Sequence, residues 1–236
     1  MSKKGTLHLF PNFLGDLQAD VQLTSAQLEK IKTLTHFIVE DEKTARRSLK
    51  RMGHEDLPNL QLYNMGKHID LSLHAQEYLQ VALTGTDMGL LSDAGSPCCA
   101  DPGALVVEKA HQMGIPVLPW VGPSSILMAL MASGLNGQQF QFWGYLPIDA
   151  EERNAKLKHI QQDCLKQGTT HIFIETPFRN EKIFQDLLKL DGRLKLSLSV
   201  DILFGKHYHF TQSIAQWQSA KKPELHKRHA VFLLGK

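Results

Sequence analysis

The chain has 236 residues, of which 42% are hydrophobic and 21% charged, with a formal net charge of +2. At ~100–200 residues per domain this is one large or two small globular domains with enough apolar content for a real core. So slight a basic excess does not advertise nucleic acid, and three cysteines, two of them adjacent (Cys98 and Cys99), exclude a disulfide framework and point to a reduced, cytoplasmic setting.

No apolar leader core follows Met1-Ser2-Lys3-Lys4-Gly5, and the longest apolar stretch, Ile126 to Ala132, falls well short of the about 18 residues that span a bilayer. Leu7 to Phe10 reads as a strand and Phe37-Ile38-Val39 as a second. Between them, Thr24-x-x-Gln27 has capping-box spacing at a helix start. Glu42 to Met52 reads as a helix that ends at Gly53. Leu90-Leu91 falls in a short buried strand, followed by a turn-rich segment over 93–101. Asp101-Pro102 then opens a helix, with Asp as cap and Pro at the first helical position, which stops at Gly114 before a strand Ile115 to Trp120. Strand–helix–strand alternation of this kind predicts right-handed βαβ units and a mainly parallel sheet.

Beyond about residue 120 the character changes. Ser124 or Ser125 caps a helix to Gly134, and a helix from about Glu151 to Gln167 has Asp149 and Glu152 in capping-box positions. A strand Ile172-Phe173-Ile174 and another helix lead into strand-like runs at Leu194 to Leu203, Tyr208 to Thr211 and Val231 to Leu234. Strands in succession without helices between them predict a mixed sheet with antiparallel pairs. The expected fold class is α/β with two α/β domains, 1–119 built on a mainly parallel sheet and 120–236 on a mixed one.

Several common chemistries lack a sequence basis. There is no dinucleotide fingerprint, no P-loop, no C-x-x-C and no H-E-x-x-H. His207 and His209 share one face of a strand, but two ligands without a third nearby fit an edge strand better than a metal site. What stands out is S-D-A-G-S-P at 92–97, D-P-G at 101–103 and V-G-P-S-S at 121–125, each following a predicted strand. Open α/β sheets bind ligands there, outside the carboxyl ends of the strands. Any one of these segments alone reads as a tight turn; three in succession read as a ligand pocket. Asp93 can accept a bond from a ribose hydroxyl or an ammonium group, and Ser124 and Ser125 lie at a helix start, where amide dipoles favour a carboxylate.

The run L-L-S-D-A-G-S-P-C-C-A-D-P-G, with G-I-P-V-L-P-W-V-G-P-S-S, A-S-G-L and F-W-G-Y-L-P after it, resembles the tetrapyrrole methylase superfamily of S-adenosylmethionine-dependent methyltransferases. The opening G-T-L-H-L-F-P-N-F-L-G-D-L, E-D-E-K-T at 40–44 and I-E-T-P-F-R at 174–179 resemble the branch typified by ribosomal RNA small-subunit methyltransferase I, which methylates a ribose 2′-hydroxyl. The resemblance implies two α/β domains, S-adenosylmethionine in the cleft between them, and a homodimer. It implies cofactor contacts at Pro11, Asp93-Ala94-Gly95-Ser96-Pro97, Gly122-Pro123-Ser124-Ser125, Phe173-Ile174-Glu175 and His229-Ala230.

A ribose hydroxyl needs a base, and Glu40 and Asp41 after the second strand are the first candidates, with Asp16 next. The competing role for Glu40-Asp41 is to cap the helix that follows. Lys43, Arg46 and Arg47, with Lys50 and Arg51, line one broad helical face suited to RNA phosphates. Lys221, Lys222, Lys227 and Arg228 form a second cluster. The chain departs from the usual T-P-I-G-N-L at 12–17, from E-D-T-R at 40–43, from A-R-E-L-T-K at 199–204 and from a G-E-like pair at 227–229. The cofactor segments are thus better kept than the acceptor segments. Three readings follow: an RNA ribose methyltransferase acting on the 30S subunit, a methyltransferase for a small molecule or protein side chain, and a non-catalytic cofactor sensor.

Overall fold

The computed structural model describes residues 3–66 and 68–236, so Met1 and Ser2 of the segment searched for a leader lie outside the described residues. The chain divides into two compact units, with the division after Ser124 rather than after residue 119.

The first unit holds β1 (Leu7–Phe10), α1 (Ala19–Gln22), α2 (Ser25–Lys32), β2 (His36–Val39), α3 (Glu42–Arg51), β3 (Gln61–Asn64), α4 (Leu71–Tyr78), α5 (Gln80–Leu83), β4 (Met88–Leu91), α6 (Gly103–Gln112) and β5 (Val117–Pro119). Its sheet runs β3-β2-β4-β1-β5 with every pair parallel. From β1 the chain moves one way across the sheet to β2 and β3; from β3 it moves back the other way to β4 and β5. Right-handed crossovers in opposite directions must lie on opposite faces. The core shows this split. Phe10, Phe37, Val39 and Leu91 pack with Ile31 and Leu49 of α2 and α3. Leu7, Ile38, Met88 and Leu90 pack with Ala75 of α4 and with Val106 and Ala110 of α6. Strands covered on both faces explain why they read as continuous apolar runs.

The second unit holds α7 (Ser125–Ser133), β6 (Phe140–Tyr145), α8 (Ala150–Gln167), β7 (Thr170–Glu175), α9 (Asn180–Leu187), β8 (Lys195–Val200), β9 (Tyr208–Ser213), α10 (Ile214–Ser219) and β10 (Ala230–Gly235). Its sheet is β6-β7-β10-β8-β9, parallel only between β6 and β7. One face packs Leu157, Ile160 and Cys164 of α8, Ile183 and Leu187 of α9 and Trp217 of α10 on Phe173, Leu198 and Phe232. The other receives Ala129 and Leu130 of α7 over Ile172, Val231 and Leu233.

Several local expectations change in detail. Thr24 accepts from the Gln27 amide at 3.3 Å, but the buried Gln27 side chain makes no return bond, so that box is only half formed. The complete box belongs to Ser213 and Gln216, at the start of α10. Strand β8 ends at Val200, because Asp201 and Leu203 take left-handed conformations (φ 50 and 63) that a ladder cannot continue.

Each unit also carries an indole bonded to an imidazole. Trp120 Nε1 donates to His8 Nδ1 at 3.1 Å, and Trp143 Nε1 donates to His171 Nδ1 at 2.8 Å. An indole can only donate, so each ring carries its hydrogen on Nε2, facing Asp87 at 3.5 Å and Asp163 at 2.8 Å respectively. Burial holds both imidazoles below the ordinary histidine pKa.

Gly89 sits mid-strand in β4, paired with His8 on one side and Phe37 on the other. A Cβ there would stand 2.3 Å from Cδ1 of the fully buried Phe37 ring. Gly89→Ala is therefore expected to destabilise the first unit by ~1–3 kcal/mol or more through overpacking, read as a lowered denaturation midpoint.

Candidate functional site

Because β1, β2, β4 and β5 are parallel, Phe10, Val39, Leu91 and Pro119 all end on one edge of the first sheet. β1 and β4 are neighbours whose onward connections leave for opposite faces, the arrangement that opens a ligand crevice at the carboxyl ends. The segment after β4 is tied to the segment after β1. Asn12 N donates to Gly95 O at 2.8 Å and Gly95 N to Asn12 O at 3.2 Å, an isolated two-residue bridge. Gly95 meets it with φ 70, a conformation that disfavours any side chain. Ser92 Oγ donates back to Gly95 O at 3.3 Å, and Ser96 Oγ reaches Pro123 O at 3.2 Å. The segment after β5 closes in as well: a Cβ on Gly122 would lie 2.4 Å from Cβ of Pro11.

Further along, Cys98 and Ala100 are both left-handed, with φ 66 and 68. Non-glycine residues pay for that conformation, and Asp101 holds them to it. Its Oδ2 accepts from Cys98 N at 2.8 Å and its Oδ1 from Gly103 N at 2.7 Å. Asp101 thus bonds the first amide of α6, but the helix begins at Gly103, so the N-cap is Pro102 and not the expected Asp101.

Four carboxylates of this edge, Glu40, Asp41, Asp93 and Asp101, act on one another. Glu40 Oε2 accepts from the Asp93 amide at 3.2 Å. Asp41 is the N-cap of α3, accepting from Thr44 N at 2.8 Å; that bond holds its pKa below the ordinary carboxylate value. Desolvation, then the charges of Glu40, Asp41 and Asp101, push Asp93 up to about 6, with the Asp41 amide partly offsetting them. Asp101 is raised for the same first reason. The principal charges on Asp93 are all of its own sign, which suits a cationic or hydroxyl-donating ligand. Asp16 lies exposed in the turn after β1.

The basic helix is less uniform than its sequence. Arg46 gives Nε and Nη2 to Glu42 Oε1, at 3.1 and 2.9 Å, and Nη1 to Leu57 O at 2.6 Å. Arg51 ties down Gly15 O and Leu17 O, and its guanidinium lies 3.9 Å over the Phe13 ring. Both arginines bond local structure, although Arg51 stays exposed; Lys43, Arg47 and Lys50 are exposed as well.

The second unit brings two further expected segments together. Ala230 pairs with Glu175, Val231 with Ile174 and Phe232 with Phe173 across β10 and β7. Phe173 is fully buried and stacked on Phe232 at 5.6 Å, so only its backbone is available to a ligand. Glu175 is buried beside Arg179 at 3.1 Å and accepts from Thr176 N at 3.0 Å; burial raises its pKa. The His229 amide and carbonyl are both bonded to Asp201, at 2.8 Å each. That leaves its imidazole, stacked 5.8 Å from the Phe204 ring, as the part turned outward. Ser125 opens α7. His207 Nδ1 is bonded to Phe204 O and His209 Nδ1 to Ser199 Oγ.

Asn12 is the residue that the sequence did not single out. An asparagine after a strand-ending proline carries no signal of its own. The structure places it 1% exposed, with Nδ2 on Ser92 O at 2.8 Å and on Asp93 O at 3.2 Å.

Asp93 also makes a measurable prediction. An acid whose folded pKa is raised from 3.8 to about 6 opposes folding when ionised, and this penalty is relieved as pH falls through that value. Asp93→Asn should raise the thermal midpoint relative to the native chain near pH ~7.5, with the difference fading below about pH 6.

No family model matches the chain. Ribosomal RNA small subunit methyltransferase I of Xylella fastidiosa is 32% identical over 198 residues, covering 84% of this chain and 68% of that protein. The Vibrio cholerae protein of the same name is 32% identical, covering 79% and 60%. The chain thus spans about two thirds of the length of these curated relatives. Among solved structures, the methyltransferase CobJ matches with TM-score 0.63 at 16% identity, over 100% of this chain and 95% of that one. Uroporphyrin III C-methyltransferase from Thermus thermophilus matches with TM-score 0.58 at 16% identity, over 98% of each. These structural likenesses speak for the fold, and the sequence likeness for the lineage: the chain belongs to the ribosomal RNA small subunit methyltransferase I family.

Proposed function

We propose that this chain is an S-adenosylmethionine-dependent methyltransferase whose acceptor is a ribose 2′-hydroxyl of small-subunit ribosomal RNA. The observation that carries the reading is the set of tied loops after β1, β4 and β5, with Asp93 among like charges at their centre. Such a site favours a ligand that brings positive charge and hydroxyl donors, as this cofactor does with its ammonium, sulfonium and ribose. When bound, the cofactor supplies an electrophilic methyl group, so the protein needs only to orient, exclude water and take a proton.

Asp93 accepts from the cofactor, and the backbone of Ala94 to Pro97 with Gly122 and Pro123 lets it approach closely. Ser124 and Ser125, at the start of α7, favour its carboxylate, and the paired ends of β7 and β10 offer backbone contacts. Of the three carboxylates expected to serve as base, Asp41 is spent on its cap, which leaves Glu40 and Asp16. RNA phosphates are met by Lys43, Arg47 and Lys50. The proposed assembly is a homodimer working in the cytoplasm; Leu127 and Met131, exposed one turn apart on α7, are apolar surface for a second copy. Among the described residues no helix is long and apolar enough to cross a membrane.

Calorimetry with S-adenosylmethionine is the first test. Binding should tighten as pH rises through about 6 and Asp93 ionises, and Asp93→Asn should weaken it by ~10–100-fold, the range for a hydrogen bond to a charged group. Absence of binding would defeat the reading. Labelled-methyl transfer to 30S particles from a methylation-deficient strain, followed by nucleoside digestion, then separates a 2′-O-methyl product from a base or protein product. Removing the charges of Lys43, Arg47 and Lys50 together should lower RNA affinity and flatten its salt dependence, since fewer counterions are released. Removing Arg46 alone should chiefly cost stability.

A further inference from the structure

We propose that Asn12 and Glu40 are positioning residues that clamp the Asp93 peptide from both sides and so aim its carboxylate at the ligand, an assignment that rests on the cofactor reading above. Asp93 lies just past the end of β4, where the ladder no longer fixes the backbone. The two neighbouring strands supply what the ladder does not. From the end of β2, Glu40 Oε2 accepts the Asp93 N–H at 3.2 Å. From the end of β1, Asn12 Nδ2 donates to Asp93 O at 3.2 Å and to Ser92 O at 2.8 Å. The amide and the carbonyl of one residue are thus held by side chains from two different strands.

Asn12 is itself immobile. Its Oδ1 accepts from Phe13 N at 2.8 Å, and its backbone N–H and C=O are exchanged with Gly95. Every hydrogen-bonding group of Asn12 is thereby used, in a residue that is 1% exposed. Gly95 lies two residues beyond Asp93, so the segment is pinned before, at and after the carboxylate. The Asp93 Cα thus has a fixed place, and the Asp41 amide bonds its carboxylate. Ordering completed before a ligand arrives is ordering that the ligand need not supply. Glu40 acts a second way, as the nearest like charge; Asp41 and Asp101 are the other acidic groups facing Asp93.

The clamp is tested with Glu40→Ala, Glu40→Gln and Asn12→Leu, by calorimetry with S-adenosylmethionine over pH 5–8 and by amide spectra of the uncomplexed chain. Loss of a hydrogen bond in Glu40→Ala or Asn12→Leu should weaken cofactor binding by ~10-fold. Glu40→Gln keeps an acceptor oxygen. Its affinity at the alkaline end should stay near native, while the pH midpoint of binding falls because one like charge is gone. In the native chain the Asp93 amide proton should show the downfield position and slow exchange of a hydrogen-bonded amide, and in Glu40→Ala it should lose both. Because Asn12 is buried and its variant can fail to fold, the variants of the half-buried Glu40 decide the matter without it.

Native affinity in both Glu40→Ala and Asn12→Leu would overturn the clamp. A native chain that binds no cofactor, although its Asp93 amide loses its hydrogen-bond signature in Glu40→Ala, defeats the cofactor reading and leaves the clamp standing. An amide indifferent to residue 40 overturns the clamp even in a chain that binds.

Discussion

Two backbone hydrogen bonds between Asn12 and Gly95 hold the carboxyl edge of the first sheet together. They form an antiparallel bridge just past the ends of the parallel β1–β4 pair, in a stretch where the chain would otherwise turn away. With that bridge closed, the Ser92–Pro97 segment has one path. Ser96 reaches Pro123, and Gly122 packs against Pro11 at a distance no other residue allows. The two ends of the bridge could hardly be exchanged for other residues. Gly95 needs its left-handed backbone, and the Asn12 side chain does work that its backbone cannot.

The same closure gathers acidic side chains that would rather be apart. Glu40, Asp41, Asp93 and Asp101 come from three segments, and only the strand ends bring them together. Asp101 and Asp41 recover part of the cost by bonding amides at the starts of α6 and α3. Asp93 recovers least, and its raised pKa records what is left. A site with unresolved like-charge repulsion is poised for a ligand that resolves it.

Much of the fold was legible because its strands are covered on both faces, so Leu7 to Phe10 and Leu90-Leu91 read as plain apolar runs. Helix ends marked by Gly53, Gly114 and Gly134 were equally plain, since those positions take a left-handed backbone. β3 was not legible: Gln61–Asn64 is a polar strand at the sheet edge, without the alternation that marks a half-buried one. The cofactor loops announced themselves through glycine, proline and serine. The residues that fix them did not, because Asn12 and Glu40 act across long sequence separation. Charge patterns misled in a related way. Arg46 and Arg51 look like uncommitted cations until Glu42, the Leu57 carbonyl and the Gly15–Leu17 turn are placed beside them.

The indole–imidazole pairs give each unit its own optical signature. Trp120 reports on the first unit through His8, and Trp143 on the second through His171. Each ring nitrogen that accepts from the indole is the one a proton would occupy. Acidification therefore breaks that contact and sets a charged imidazolium, an efficient quencher, against the fluorophore. Emission from a chain retaining one of these tryptophans would then follow the state of one half of the molecule, with no label attached.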